Sequence, residues 1–320
     1  MSKKIHIIVG GTYFLEDRVK FFDNPEFKKH KDSLVIERVD WSRVVKCKSI
    51  PVKGDIVFVF GIKHWVRRLH KKKYGSNKIA SCIIKFLHKN FYQKAPIGIL
   101  EDLDLRGSRS VGNKIINRAI KDLDCKLVLL REYLKDVKYS SRVKPFGICS
   151  VSRDGFIKDL KKKKTDFYFR GDSSSKDRSK IVGGISKNSK INSSLLVYKG
   201  GEKSKGKISE SKFFEELSRS HVCLNVKGNG YSCYRYQEIP SVGSIIATPN
   251  YPLVTINDYK DMVSCIKFDS VKDLNNKINT VLSSKNLVDD IRQTSIELFK
   301  KYHTTEKRFL EFMNHLDSIG

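Results

Sequence analysis

Short apolar runs, most of them closed by a glycine or a proline, recur along the chain and alternate with longer stretches of helical period. "KIHIIVGG" (4–11), "DIVFVFG" (55–61), "APIGIL" (95–100), "CKLVLL" (125–130) and "RVKPFGI" (142–148) are nearly continuous in apolar residues, as strands covered on both faces are. Helical spacing over 76–93 and 111–123 separates some of them, and this β-α-β rhythm predicts a parallel sheet between two helical layers. Around 150–165 the chain turns polar and reaches "KKKKT", four like charges that suit a linker better than a packed element. A second series follows. "DFYFRG" (166–171), "SSLLVYKG" (193–200), "HVCLNVKG" (221–228), "SIIATPN" (244–250) and "CIKF" (265–268) read as strands, with helices near 175–187, 210–219, 232–241, 270–283 and 286–301 and an amphipathic helix over 303–317. The expected fold is α/β: two Rossmann-like domains, 1–155 and 156–320, facing a central cleft, with the last helix free to pack back on the first domain.

Composition narrows this picture. A chain of 320 residues exceeds the usual single core, and 39% apolar residues with 18 Phe and 13 Tyr support folded domains. No stretch approaches the roughly 20 apolar residues of a membrane helix, and the start "MSKKIHIIVGG" reads as a first strand rather than a leader. Seven scattered cysteines without a CxxC pair suit reduced thiols, so a cytoplasmic protein without disulfides or zinc is expected. Charge adds most: 63 Lys and Arg against 35 Asp and Glu give +28. Such a field draws polyanions, DNA before an anionic membrane, unless the lysines serve solubility alone. No stable protein partner is evident.

Ligands of open α/β sheets bind outside the carboxyl ends of the strands, which directs attention to the segments after the glycine-ended runs. "FRGDSSSKDRSK" (169–180) is a strand, Gly171, Asp172, a hydroxyl-rich turn and then Arg178 in the opening turn of a helix, a layout able to meet a phosphate, or simply a polar loop. "NVKGNGYS" (225–232) offers Lys227 on a glycine-rich loop. In "RYQE" (235–238) helical spacing sets Arg235 and Glu238 on one face, where they either divide a nucleotide between diphosphate and ribose or form a solvated ion pair. The turn Gly10-Gly11 after the first strand joins the nucleotide-binding candidates, although it lacks the full dinucleotide fingerprint. "GIKHWVRRLHKKKYGSNK" (61–78) holds Lys63, Arg67, Arg68, Lys71, Lys72, Lys73 and Lys78 without an acid, and Trp65 and Tyr74 between them. Three readings stay open there: a nucleic-acid patch with stacking aromatics, a contact with anionic lipid, or a solvated helix with Trp65 and Leu69 in the core. The histidines lack metal spacing, His6 and His221 read as core residues, and no G-x-S-x-G elbow supports a hydrolase.

"SRSHVCLNVKGNGYSCYRYQEIPSVGSIIATPN" (218–250) resembles the donor segment of GT-B glycosyltransferases, exostosin-like and CgeB-like members among them: a strand, a loop, R-x-x-E, then a small residue, a glycine and an apolar strand. A narrower similarity is to the DNA β-glucosyltransferases of T-even phages. "TDFYFRGDSSSKDRSKIV" (165–182) is similar to their diphosphate segment, with Gly171 and Arg178 on matching positions and Asp172 in place of a serine. "IGILEDLDLRG" (97–107) resembles the strand end carrying their catalytic aspartate, which puts Asp102 on that position. The resemblance implies an inverting glycosyltransferase: Asp102, or Glu101 as its nearest substitute, would take the acceptor proton, and Arg178, Lys227 and Arg235 would neutralise the diphosphate of a nucleotide sugar, a UDP-sugar first, with no obligatory metal. The implied acceptor is a hydroxymethylated base in DNA, with a surface polysaccharide or glycolipid as the alternative. Asp102-Leu-Asp104 also forms a D-x-D pattern like the metal signature of GT-A enzymes, and a non-catalytic nucleic-acid-binding protein would explain the charge while leaving R-x-x-E idle.

Overall fold

The computed structural model describes residues 3–10, 21–101, 105–157, 163–199, 206–228 and 230–319. They belong to two compact units, Met1–Gly147 with Leu253–Ile256 and Thr305–Gly320, and Ile148–Pro252 with Asn257–Thr304. In the first, β1 (Ile5–Val9), β2 (Leu34–Arg38), β3 (Ile56–Phe60), β4 (Ile97–Glu101), β5 (Leu127–Leu130) and β6 (Val143–Pro145) form one parallel sheet in the order β2-β1-β3-β4-β5-β6. All five residues of β1 and of β3 are buried, the outcome that continuous apolar runs dictate for inner strands. The helices α1 (Pro25–His30), α2 (Trp41–Val45), α3 (Ile62–Lys71), α4 (Ser76–Phe91) and α5 (Leu105–Asp122) connect the strands.

The hydrophobic pattern did not reveal β2. It is an edge strand, "LVIER", with one fully buried residue, so it needs no continuous apolar run. Gly61, at φ +70, lets the chain turn from β3 into α3, and Gly10 packs directly on it: a Cβ at Gly10 would lie 2.5 Å from the Gly61 carbonyl oxygen and 2.9 Å from the Trp65 ring. The Gly10 amide donates to Phe60 O at 2.8 Å, so this glycine, expected to face a nucleotide, is used by the strand end and helix start around it. Gly11 lies outside the described residues.

The second unit opens with α6 (Asp154–Ile157) and is built from β7 (Thr165–Asp172), α7 (Lys176–Ile185), β8 (Ser193–Tyr198), α8 (Glu210–Ser218), β9 (Ser220–Leu224), α9 (Arg235–Glu238), β10 (Ile245–Pro249), β11 (Ile266–Phe268), α10 (Val271–Leu282) and α11 (Lys285–Leu298). Its parallel sheet has the order β11-β10-β9-β7-β8. Alternation assigns the two faces: Phe167 and Phe169 join one buried cluster with Val222, Ile245 and Ile291, while Tyr168 joins another with Phe213, Leu217 and Ile246. The helix expected over 232–241 is a single turn, because Pro240 cannot continue the hydrogen-bond ladder; a 3-10 turn, Pro240–Val242, follows and ends at Gly243 with φ +73. The last helix, α12 (Thr305–Asp317), belongs to the first unit. There Phe309 and Phe312 meet Phe21 at 5.8 Å between ring centroids, and Phe312 also meets Phe58 and Phe60.

Candidate functional site

In the second sheet the chain runs outward from β7 to β8 and then returns to lay β9 on the other side of β7, so the strand order reverses between β7 and β9. In an open α/β sheet ligands bind beside the carboxyl ends of the strands that flank such a reversal. Segment 169–180 covers the end of β7, a short turn and the start of α7, and segment 225–228 follows β9.

Arg178 holds them together. Ser175 caps α7, its Oγ accepting from Asp177 N at 3.3 Å, and Arg178 follows in the first turn, 4% exposed. Its Nε donates to Lys227 O (3.2 Å), its Nη1 to Asp172 O (3.0 Å) and the Asp172 carboxylate, and its Nη2 to Val226 O (3.4 Å). One buried guanidinium thus ties the loop after β7 to the loop after β9. Burial, and then the neighbouring Arg235, push its pKa down, although an arginine stays charged under such a shift. Burial raises the Asp172 carboxyl, but hydrogen bonds from Ser174 and the charges of Arg178 and Arg235 outweigh it and hold the group below the usual carboxylate range. Asp172 is therefore an anion that braces Arg178. At Gly228 a Cβ would come within 2.9 Å of Arg178 Nη2, so the second loop needs glycine to approach this closely.

Arg235 comes to the same place from α9. Its Nη2 donates to Arg170 O at 2.7 Å, and its guanidinium lies over the rings of Phe169 (5.2 Å) and Phe213 (5.7 Å). Gly171 makes the room, since a Cβ there would stand 2.8 Å from the Phe169 ring and 3.2 Å from Arg235 Nη2. Arg235 is half-buried and Glu238 is 4% exposed, so the pair does not lie on a solvated face. Lys227 Nζ meets Asp177 Oδ2 at 2.8 Å and lies 5.4 Å from the Tyr231 ring, while its amide donates to the Tyr251 hydroxyl at 2.8 Å. Tyr231 and Tyr251 are 4.9 Å apart. Neither tyrosine belongs to a motif, and position alone marks them: Tyr251 follows β10, and Tyr231 lies between β9 and α9.

In the first unit the basic segment is α3 and the turn after it. Trp65 and Leu69 are fully buried, and Trp65 Nε1 donates to Val39 O at 2.8 Å, so Trp65 does not stack on bases but holds the helix to the sheet. Lys63 is buried as well and drops out of the surface patch. Arg67, Arg68, Lys71, Lys72 and Lys73 are exposed, with Lys72 5.9 Å from the Trp41 ring. β4 ends at Glu101, paired in register with Leu130; Asp102 and Asp104 lie outside the described residues. Among the described residues no three His, Cys, Asp or Glu side chains are placed to hold a metal ion, and no helix is long and apolar enough to cross a membrane.

No protein-family model matches the chain, and no curated protein matches it in sequence. Solved structures do. It is similar to HepE of Anabaena in complex with UDP, with a TM-score of 0.62 at 9% identity over 98% of this chain and 100% of that one. It is similar to an alpha-glucosyltransferase in complex with UDP and a 13-mer DNA containing a central A:G mismatch, with a TM-score of 0.58 at 11% identity over 98% and 99%. A glycosyltransferase from Rickettsia africae ESF-5 gives 0.57 at 9% identity over 100% and 99%. At such identities the likeness concerns architecture, and with its two parallel sheets of six and five strands the chain has the GT-B glycosyltransferase fold.

Proposed function

We propose that the protein is a glycosyltransferase that binds a nucleotide-diphospho sugar, a UDP-sugar first, at the carboxyl ends of β7 and β9. The observation that carries this reading is the convergence of Arg178 and Arg235 at that strand reversal, where burial and then the charge of Arg235 lower the pKa of Arg178. Two guanidiniums in a partly dry site repel, and a diphosphate bound beside them offsets that repulsion. Arg178 shapes the two loops, and Arg235 with Lys227 supplies charge to the leaving diphosphate. Glu238 is the acceptor for ribose hydroxyls. Asp102, next in sequence after β4, takes the proton of the attacking hydroxyl, with Glu101 as its substitute, and attack opposite the leaving group inverts the sugar carbon. UDP in the solved relatives supports the choice of nucleotide.

For the acceptor we propose a hydroxymethylated base in DNA, in the cytoplasm. The net charge of +28, the exposed cations of α3, and the DNA held by one structural relative support it. Incubating the protein with UDP-sugars and hydroxymethylated DNA tests both halves of the proposal. The expected product is DNA heavier by one glycosyl unit per modified base, and transfer to glycolipid or polysaccharide with DNA unchanged would overturn the acceptor. Thermal shift with UDP tests the donor separately, because a bound nucleotide stabilises by mass action and a non-catalytic nucleic-acid binder would not respond to it.

A further inference from the structure

Charge in this protein is unevenly placed. Residues 41–100 contain fourteen Lys and Arg and a single acid, Asp55, so sixty residues supply +13 of the +28. Only part of that excess belongs to α3. Helix α4 (Ser76–Phe91) has no acid, and its buried residues, Ile79, Ala80, Ile83, Ile84, Phe86 and Leu87 among them, take one side. At 100° per residue Lys78, Lys85 and Lys89 fall within about 40° of one another on the opposite side, and all three are exposed. Lys89 Nζ donates to Cys47 O at 2.9 Å, which draws the end of this row to the loop carrying the exposed Lys46 and Lys48. Lys78 lies 4.5 Å from the Tyr74 ring, beside the exposed Lys71, Lys72 and Lys73 at the end of α3. The cations therefore form a row and not a cluster.

We propose that the outer face of α4, through Lys78, Lys85 and Lys89, is a track for the backbone of a nucleic-acid strand, reached through the cations at the end of α3. The proposal rests on the DNA-acceptor reading and extends it from the 61–78 segment along α4 to Lys85 and Lys89. From Lys78 to Lys89 the helix rises about 16 Å, which is roughly five steps of a DNA strand at 3.4 Å each. A row of separate ammonium groups along a straight helix suits a regular line of phosphates and carries no base-edge reader, so it positions the polymer without reading sequence. Occupying the whole row requires a polymer of several nucleotides, and binding is therefore length-dependent.

The test compares Lys78→Gln/Lys85→Gln/Lys89→Gln with a control, Lys180→Gln/Lys187→Gln/Lys190→Gln, which removes three exposed charges from the second unit. Fluorescence anisotropy with 6-mer and 20-mer DNA duplexes across a salt series reads the result. The α4 variant is expected to bind the 20-mer at least tenfold more weakly at about 0.1 M salt and to lower its log–log salt slope by about 2.7, near 0.9 per lost phosphate contact. It should also remove most of the advantage of the 20-mer over the 6-mer. Because Lys89 also holds Cys47, the double variant Lys78→Gln/Lys85→Gln repeats the measurement, with an expected fall in slope of about 1.8. Equal slopes for the α4 and control variants overturn the proposal, and so does loss of binding to phosphatidylserine vesicles with DNA affinity unchanged. UDP thermal shift is run on the same proteins: a wild type that ignores UDP while α4 governs DNA binding rejects the transferase and keeps the track.

Discussion

Arg178 and Arg235 stand side by side, yet their side chains do different things. Removing Arg178 leaves the carbonyls of Asp172, Val226 and Lys227 without their buried donor, at about 1–3 kcal/mol for each unpaired group, so Arg178→Ala lowers the melting temperature by several degrees as well as weakening UDP. Arg235 is half-buried and gives one strong hydrogen bond to the strand. Arg235→Ala therefore weakens UDP ten- to hundredfold, the worth of a charge-assisted contact of about 1.5–3 kcal/mol, with a smaller change in melting temperature; a calorimetric titration beside a thermal melt checks both. Lys163 yields a pH prediction. Its Nζ donates to Ser220 O and Ser244 Oγ, both at 2.8 Å, and burial, followed by the charge of Arg292, pulls its pKa down to about 7 from lysine's usual 10.5. Between those values the unfolded chain binds the proton and the folded one does not, so this group makes stability rise from pH 7 toward pH 10. Denaturant melts over that range should show the rise flattened in Lys163→Met.

At the scale of elements, the site is a property of two strand ends and a one-turn helix. Gly171 is small because Phe169 and Arg235 occupy the place of its side chain. In Gly171→Ala the Arg235 fork must shift from the end of β7, and the expected result is a UDP affinity lowered by about tenfold with the DNA affinity of the first unit unchanged, read by titrating both ligands on one preparation. Periodicity located most elements, since β3 is apolar throughout, β10 opens on three apolar residues and α4 has a clear buried side. It overlooked β2, a strand at the end of its sheet with one buried residue, and overextended α9, where one proline stops the helix. The phosphate-binding look of "FRGDSSSKDR" was legible as well, but not that Arg178 spends its donors inside the protein, because its partners on the β9 loop lie 48 and 49 residues away.

For the whole molecule, +28 means self-repulsion that folding concentrates. Raising the ionic strength from about 0.01 M to about 0.15 M shortens the screening length from about 30 Å to about 8 Å, so the melting temperature of the protein alone should rise while its affinity for DNA falls. A scanning-calorimetry series with and without duplex DNA checks both directions, and a melting temperature that falls with salt would show that attractive ion pairs dominate.

What the sequence determined by itself is what depends on neighbours along the chain: strand and helix periods, the α/β class, the excess of cations in 41–100 and the glycines at strand ends. Tertiary structure decided which of these residues meet. It buried Trp65 and Lys63 and exposed the rest of the α3 patch, since burial depends on which side of a helix faces the sheet. It turned the row of Lys78, Lys85 and Lys89 outward, and it brought Arg235 from α9 to the end of β7, 65 residues away at the Arg170 carbonyl. The order in which parallel strands add to a sheet is set by long crossovers and by packing of both faces, and neither leaves a local mark in the sequence.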